Sequence, residues 1–480
     1  MGSHFLHSSG DTDIPVATRR CGPRSGRLSR ILLPVLPLLC LAATVAGTPA
    51  QAAPASSAVS ADSSSSQEGP ARALARTAHP LGSTVPGGSD ADLRAFDTMI
   101  RGADVVGVGE ATHGSSEFYT VKHRLFRHLV ERQGFRSFVL EIQWSAGVRL
   151  DEWVRHGGGD LDTIMDEEFQ AGGSLWNTTE TRDLFRWIRA WNLRHPQSPV
   201  RVAGDGPEFA GPALFDTVTS YVARTRPDLL PEVRRLYRES RPTASMEETF
   251  NARLALPLAD RTRMREDTRR VLSLLEHRPA GIPAKEHDLM LQHARAIAQN
   301  ATLFGFDIAN DAAAALTYRD QVMADNTAWW QRHTGTKVFL SAHNSHVAGE
   351  SAAPESQPKT QGQFLRERLG TRYVNAGFTF GRGSFNAIDP TASGSTWRRV
   401  DVGPTREGSG ENTLEKVSRR DWYLDTRTAA PGTARNWLTT AHPIRNIGAS
   451  WPVDAYENTR LRSTYDIVIH LHNISASHRR

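Results

Sequence analysis

Six short apolar runs punctuate an otherwise mixed chain. They cover residues 104–108, 137–142, 200–203, 337–341, 373–380 and 465–471. Runs of this length, rich in Val, Ile, Leu and Phe and bounded by turn residues, predict strands buried on both faces. Stretches with helical periodicity lie between them. Phe118, Val121, Leu125, Phe126, Leu129 and Val130 form one stripe, on a helix running from a cap at Ser115 or Ser116 to about residue 131. Between residues 209 and 330 the pattern shows no strand. Arg/Glu/Asp-rich amphipathic stretches at 228–240, 260–276, 284–300 and 318–333 predict a helical insertion or cap instead. Strands alternating with helices argue for an α/β fold, with a largely parallel central sheet flanked by helices. Residues 351–361 and 389–412 read as loops from their Pro, Ser, Gly and Thr content.

The amino-terminal pattern differs. Five arginines precede an apolar run over residues 31–46, followed by Ala50-Gln51-Ala52-Ala53. A basic segment, a short apolar segment and small residues at a cleavage point describe a secretory signal peptide, here residues 1–52. The run is short and holds two prolines, so no stable membrane anchor is expected. Residues 53–80 read as an Ala/Ser-rich disordered linker, and residues 81–480 as one catalytic domain.

Removing the signal peptide changes the charge argument. The full chain of 480 residues carries a net charge of +5. The first 52 residues hold five Arg and two Asp, so the remainder carries about +2 by the same count. Such a balance gives no electrostatic case for nucleic acid. Both cysteines, Cys21 and Cys40, leave with the signal. A cysteine-free mature chain suits an oxidising, extracellular compartment and excludes a cysteine nucleophile. No Gly-x-Ser-x-Gly elbow, phosphate loop or His-Glu-x-x-His zinc helix is present.

In open parallel sheets, ligands bind beyond the carboxyl ends of the strands. Those ends here are chemically loaded. The first strand is followed by Gly109-Glu110-Ala111-Thr112-His113-Gly114. Glu141 closes the second, with Trp144 just beyond. Asp205 and Glu208 follow the third. Ala342-His343-Asn344-Ser345-His346 follows the fourth. Four strand ends that each deliver an ionisable group point to one shared site. Lys122 falls on the apolar stripe of the first helix, either snorkelling past the core or reaching that site. A histidine held by a carboxylate can take a proton from water and turn it on a carbonyl. A second histidine or Lys122 can then stabilise the oxyanion. Trp144, Asn344, Asp205 and Glu208 are candidates for substrate contact. Two histidines with carboxylates can also hold a divalent metal, so the metal question stays open at this point.

The first and fourth strand-end motifs together resemble the erythromycin esterase family. Further matches are Val139-Leu140-Glu141 with Trp144, Arg319-Asp320-x-x-Met323-Ala324-x-Asn326, residues 373–380, Asp421-Trp422-Tyr423-Leu424-Asp425 and Tyr465-Asp466-Ile467-Val468. The resemblance implies an α/β core with an added helical part. It implies hydrolysis of a macrolide lactone or related ester by activated water, without an acyl-enzyme, and so a carboxylic-ester hydrolase of the kind that confers macrolide antibiotic resistance. It places the essential histidine on His113 and its acidic partner on Glu110. Glu141, the basic residue Lys122, His343 and His346 complete the implied set. His113 is expected as general base and His343 as its partner or oxyanion stabiliser, with the reverse assignment open. No cofactor is required on this reading. The partner is a small-molecule ester or lactone, and the oligomeric state is not indicated. The chain departs from the family pattern at residues 204–209 and at Ser341, where many relatives carry an aromatic residue. The rival expectation is a metal- or haem-binding protein on a related scaffold, with Glu110, Glu141, His113 and His343 as ligands.

Overall fold

Six parallel strands form the centre of the computed structural model, which describes residues 68–389, 397–451 and 456–480. The expected signal peptide, most of the expected linker and part of the 389–412 loop lie outside the described residues. In chain order the strands are β1 (His79–Pro80), β2 (Val105–Val108), β3 (Phe135–Gln143), β4 (Arg201–Gly206), β5 (Lys337–Ser341), β6 (Tyr373–Ile388), β7 (Trp397–Val402), β8 (Trp422–Asp425), β9 (His442–Arg445), β10 (Tyr456–Thr459) and β11 (Ile467–Ile474). The parallel set runs β11-β6-β2-β5-β3-β4 across the sheet. Strand β8 joins β11 and β1 joins β8, both antiparallel. Strand β7 pairs antiparallel with the far half of β6. Strands β9 and β10 form a separate hairpin-like pair.

The sheet is buried on both faces, and successive residues serve opposite sides. Val106, Val108, Phe138, Leu140 and Phe339 join the core under the helices Ser116–Arg132 and Thr179–Arg194. Val105, Val139, Val338 and Leu340 join the core on the other face, under the helices Pro212–Thr225, Ala284–Phe304 and Ala312–Thr334. This two-residue period, with both faces buried, is why the runs read as mostly apolar rather than alternating. Between β4 and β5 the described chain is helical, from Pro212 to Thr334 with short connections.

Several expectations change. Residues 70–75, inside the expected linker, form a helix whose Leu74 is fully buried in the second core. Within residues 389–412, read as loop, 397–402 form β7. Most of that strand's side chains face outward at a sheet edge, so it carries no apolar run to read. Strand β8 is only four residues long and sits between charged neighbours. Ser115 is the N-cap residue of the first long helix, yet its hydroxyl makes no capping bond; it meets the Glu117 carboxylate instead. Among the described residues no helix is long and apolar enough to cross a membrane.

Strand order also locates the site. From β2 the chain moves toward β3 and β4, and from β5 it moves the other way, toward β6 and β11. Strands β2 and β5 are neighbours, paired Val105 to Val338 through Val108 to Ser341. Their outgoing loops therefore diverge and open a crevice between them, the geometry that favours ligand binding at a switch point.

Candidate active site

The loop after β2 carries the first half of the site. Gly109 lies so close to Asn344 that a Cβ there would approach its side-chain oxygen to 2.2 Å, which lets the two loops touch. Glu110 is 1 % exposed and His113 is 5 % exposed. The Glu110 carboxylate lies 2.7 Å from Nδ1 of His113. An ionised carboxylate only accepts, so this contact puts the proton on Nδ1 and leaves a lone pair on Nε2. The Tyr119 hydroxyl donates to the His113 carbonyl at 2.5 Å and lies 2.9 Å from the Leu175 carbonyl, which pins the loop to the helix beneath it. The Trp176 ring meets the imidazole edge-on at 5.3 Å.

Lys122 reaches inward and is buried. Its ammonium bonds the second Glu110 oxygen, and it donates to Ser341 Oγ and to the Ala342 carbonyl, each at 3.1 Å. All three of its donors are thus engaged. Burial pulls its pKa down, against the pull of Glu110. Lys122 therefore positions Glu110; the expectation that it also stabilises an oxyanion gives way, because no proton remains to offer. Ser341, noted as a departure from the family pattern, supplies one of its three acceptors.

The second half comes from β5 and β3. The His343 ring lies 4.9 Å from that of His113, centroid to centroid. Its Nδ1 is 3.0 Å from Ser345 Oγ, and its Nε2 accepts from the Gly448 backbone N–H at 3.2 Å. Burial, followed by the neighbouring His113, holds its pKa well below the usual histidine value, so it is neutral. Glu141 does not touch either ring of this pair by hydrogen bond. One of its oxygens accepts the His343 backbone N–H at 2.8 Å; the other faces Arg319 at 2.9 Å and His346 at 3.2 Å.

His346 is brought near the site but belongs to a separate buried charge cluster. Its Nδ1 is 2.8 Å from Asp320 Oδ1, an ion-pair contact without hydrogen-bond alignment. Arg319 pairs with Glu141 and Glu208, and also stands 2.8 Å from His346 Nε2. With Asp320 3.8 Å from it as well, one guanidinium faces three carboxylates, so the cluster around His346 carries a surplus of negative charge. Burial opposes its charge, but Asp320 and Glu141 prevail and raise its pKa to about 10. Glu141 moves the other way: burial raises it, but His346 and Arg319 hold it well below the usual carboxylate value.

The four expected substrate contacts are placed otherwise. Trp144 packs on Trp329 and Trp330, and its indole N–H donates to His293 at 3.0 Å, which ties it to the helical side. Asn344 exchanges two hydrogen bonds with the Phe378 backbone, so both ends of its amide hold β6. Asp205 is fully buried and accepts from Thr327 and Gln361. Glu208 is committed to Arg319. Each is a group already satisfied by the protein, with Asp205 Oδ1 the exception. Conversely, Arg319 and Asp320 were visible as a motif but not as site residues. Their consecutive charges, both buried on an amphipathic helix, were the signal that sequence alone did not resolve. Gly448 carried none: it arrives from a distant loop, where its carbonyl accepts from the His113 N–H at 3.1 Å.

A family model described as erythromycin esterase matches residues 130–474, a span that begins after Glu110, His113 and Lys122. The type II erythromycin esterase of Escherichia coli is 23% identical over 352 residues, covering 68% of this chain and 80% of its own length. Among solved structures, one titled a succinoglycan biosynthesis protein is 29% identical with a TM-score of 0.76, covering 87% of this chain and 100% of that one. A mutant of the erythromycin esterase EreC in its open conformation is 19% identical with a TM-score of 0.61 over 80% of this chain and 94% of its own, and shares the fold.

Proposed function

The chain belongs to the erythromycin esterase family, and from that premise we propose that it is an exported hydrolase that opens an ester or macrolide lactone with water activated by His113. Family membership supports an ester or lactone hydrolase. The observation that carries the finer reading is the Glu110–His113 pair, set beside a neutral His343 at the switch point of the sheet.

Glu110 fixes the tautomer, so Nε2 of His113 removes a proton from water while the water oxygen bonds to the carbonyl carbon. The imidazolium that forms is stabilised by Glu110. It then returns the proton to the departing alkoxide as the C–O bond breaks, yielding an acid and an alcohol. His343 supports this by staying neutral, because a second cation beside His113 would oppose the charge that His113 acquires. Glu141 and Arg319 hold the His343 loop, and Lys122 holds Glu110; these are positioning residues. The signal peptide read from residues 1–52 supports export, which suits an external substrate.

The rival reading treats Glu110, Glu141, His113 and His343 as ligands for a metal or haem. The residues fit it poorly: Lys122 already occupies Glu110, and Arg319 and His346 occupy Glu141. A resident cation would meet three protein cations at its own carboxylates.

The test is mass-spectrometric. The protein is incubated with a panel of macrolides and simple esters, and products are searched for the gain of one water. A gain with a macrolide supports lactone opening, and a gain only with simple esters narrows the substrate class. No gain from folded protein across both classes rejects the hydrolase reading.

A further inference from the structure

A second cluster of chemistry-bearing side chains lies away from the motifs used above. His470 and His472 stand two apart on β11, so both point to the same face of the sheet. Glu415 comes from the segment after the helix Gly410–Leu414, more than fifty residues earlier in the chain. Its carboxylate reaches both rings: Oε1 is 2.9 Å from His470 Nε2 and Oε2 is 2.9 Å from His472 Nδ1. Among the described residues these are the group of three whose possible ligand atoms all fall within 4.8 Å of one another.

From this arrangement we infer that Glu415, His470 and His472 form a binding site for a divalent cation of zinc's class. Three details carry it. First, His472 Nε2 lies 3.1 Å from the Arg420 carbonyl, which can only accept. The bond fixes the ring so that its other nitrogen, Nδ1, faces the Glu415 carboxylate at 2.9 Å, the atom a cation between them would use. Secondly, His470 Nδ1 is 2.8 Å from Thr379 Oγ1, the outer hydrogen bond that orients a ligating imidazole. Thirdly, β6 carries glycine at the position facing the carboxylate. A Cβ on Gly381 would lie 2.0 Å from Glu415 Oε1, so only glycine admits the acid against the strand.

Two imidazoles and one carboxylate suit zinc, whereas magnesium and calcium select oxygen ligands. Zinc bonds of about 2.0–2.1 Å put tetrahedral ligands about 3.3 Å apart, so each of the two 2.9 Å carboxylate–imidazole contacts would open by a few tenths of an ångström. His470 is fully buried, while Glu415 and His472 are partly exposed, which provides an entry path and a fourth position for water. The cation would tie β11 to the 415–421 segment, outside the catalytic pair.

The full-length protein, freed of metal with a chelator and dialysed, is titrated with Zn²⁺ by calorimetry. Absorbance after Co²⁺ loading reports the ligand geometry. One saturable site is expected, lost or weakened at least about a hundredfold in Glu415→Gln and in His472→Asn, and about tenfold in Thr379→Val. His113→Asn should bind Zn²⁺ as the wild type does. Absence of saturable binding, wild-type affinity in folded Glu415→Gln and Thr379→Val, or loss only in His113→Asn would each overturn the assignment. Should His472→Asn fail to fold, Glu415→Gln and Thr379→Val decide.

Discussion

On the proposed mechanism His113 acts as the base because the Glu110 carboxylate is aimed at its Nδ1, and Glu110 is aimed because Lys122 is buried beneath it. His113→Ala should therefore lower turnover about a hundredfold to ten-thousandfold, with an unchanged circular dichroism spectrum; turnover within twofold of wild type would remove the base assignment. The charge cluster behind the site makes a separate prediction about pH. His346 has a folded pKa of about 10, above its unfolded value near 6.5. Its stabilisation is complete below the lower value and is lost as pH rises through the higher one. Thermal denaturation should thus fall more steeply between pH 7 and 10 in the wild type than in His346→Asn, and parallel curves would show that His346 is neutral. At this scale the sequence was informative about identity. Glu110, His113, Lys122 and His343 were all legible as candidates, because ionisable residues at strand ends are rare enough to notice. What each group bonds was not legible. Lys122 spends its protons on three protein acceptors, and Asn344 spends its amide on Phe378.

Elements bring these residues together through close approaches that only small residues permit. Strands β2 and β5 deliver Glu110 and His343 side by side, and Gly109 lets their loops meet. In Gly109→Ala the added Cβ cannot share the space of Asn344, so the His343 loop must shift. The expected result is a loss of turnover larger than any change in KM, together with a lower melting temperature; kinetics with wild-type constants would show that the loops move independently. The six parallel strands were legible because each carries a short, mostly apolar stretch buried on both faces, such as Phe138–Leu140 in β3 and Val338–Leu340 in β5. Strands β7, β9 and β10 were not, since half or more of their residues are partly or fully exposed and they need few apolar ones, and β8, though buried throughout, is only four residues long. The helices between β4 and β5 follow their amphipathic stripes. Arg319 and Asp320 sit on one of them, and only packing against the sheet brings their charges to Glu141 and His346.

At the scale of the whole molecule, the chain before β2 is more than a tether. Leu74 sits in the core on the helical side of the sheet, beneath residues contributed from much later in the chain. A protein beginning at Ala53 should be soluble and active. One beginning at Leu81 loses that helix and should melt several degrees lower, because truncating a buried leucine alone costs about 2–5 kcal/mol. Equal melting temperatures would show that the helix contributes nothing to the fold. The carboxyl terminus also closes on the site side of the molecule: the Ser475 carbonyl accepts from Ser116 N–H, at the start of the helix that carries Lys122.

Sequence alone determined the class of the fold, the identity of the central strands and the residues able to do acid–base chemistry. These properties are local: burial on two faces writes itself into a run of apolar residues, and a titratable side chain is recognisable wherever it falls. Tertiary structure alone decided which of those groups keep a free lone pair and which are consumed by partners. It also decided that Arg319, Gly448 and the Glu415–His470–His472 cluster exist as neighbours at all. Such pairings join residues tens to hundreds of positions apart, and whether a buried charge is a reagent or a brace depends on where its partner's charge arrives in space.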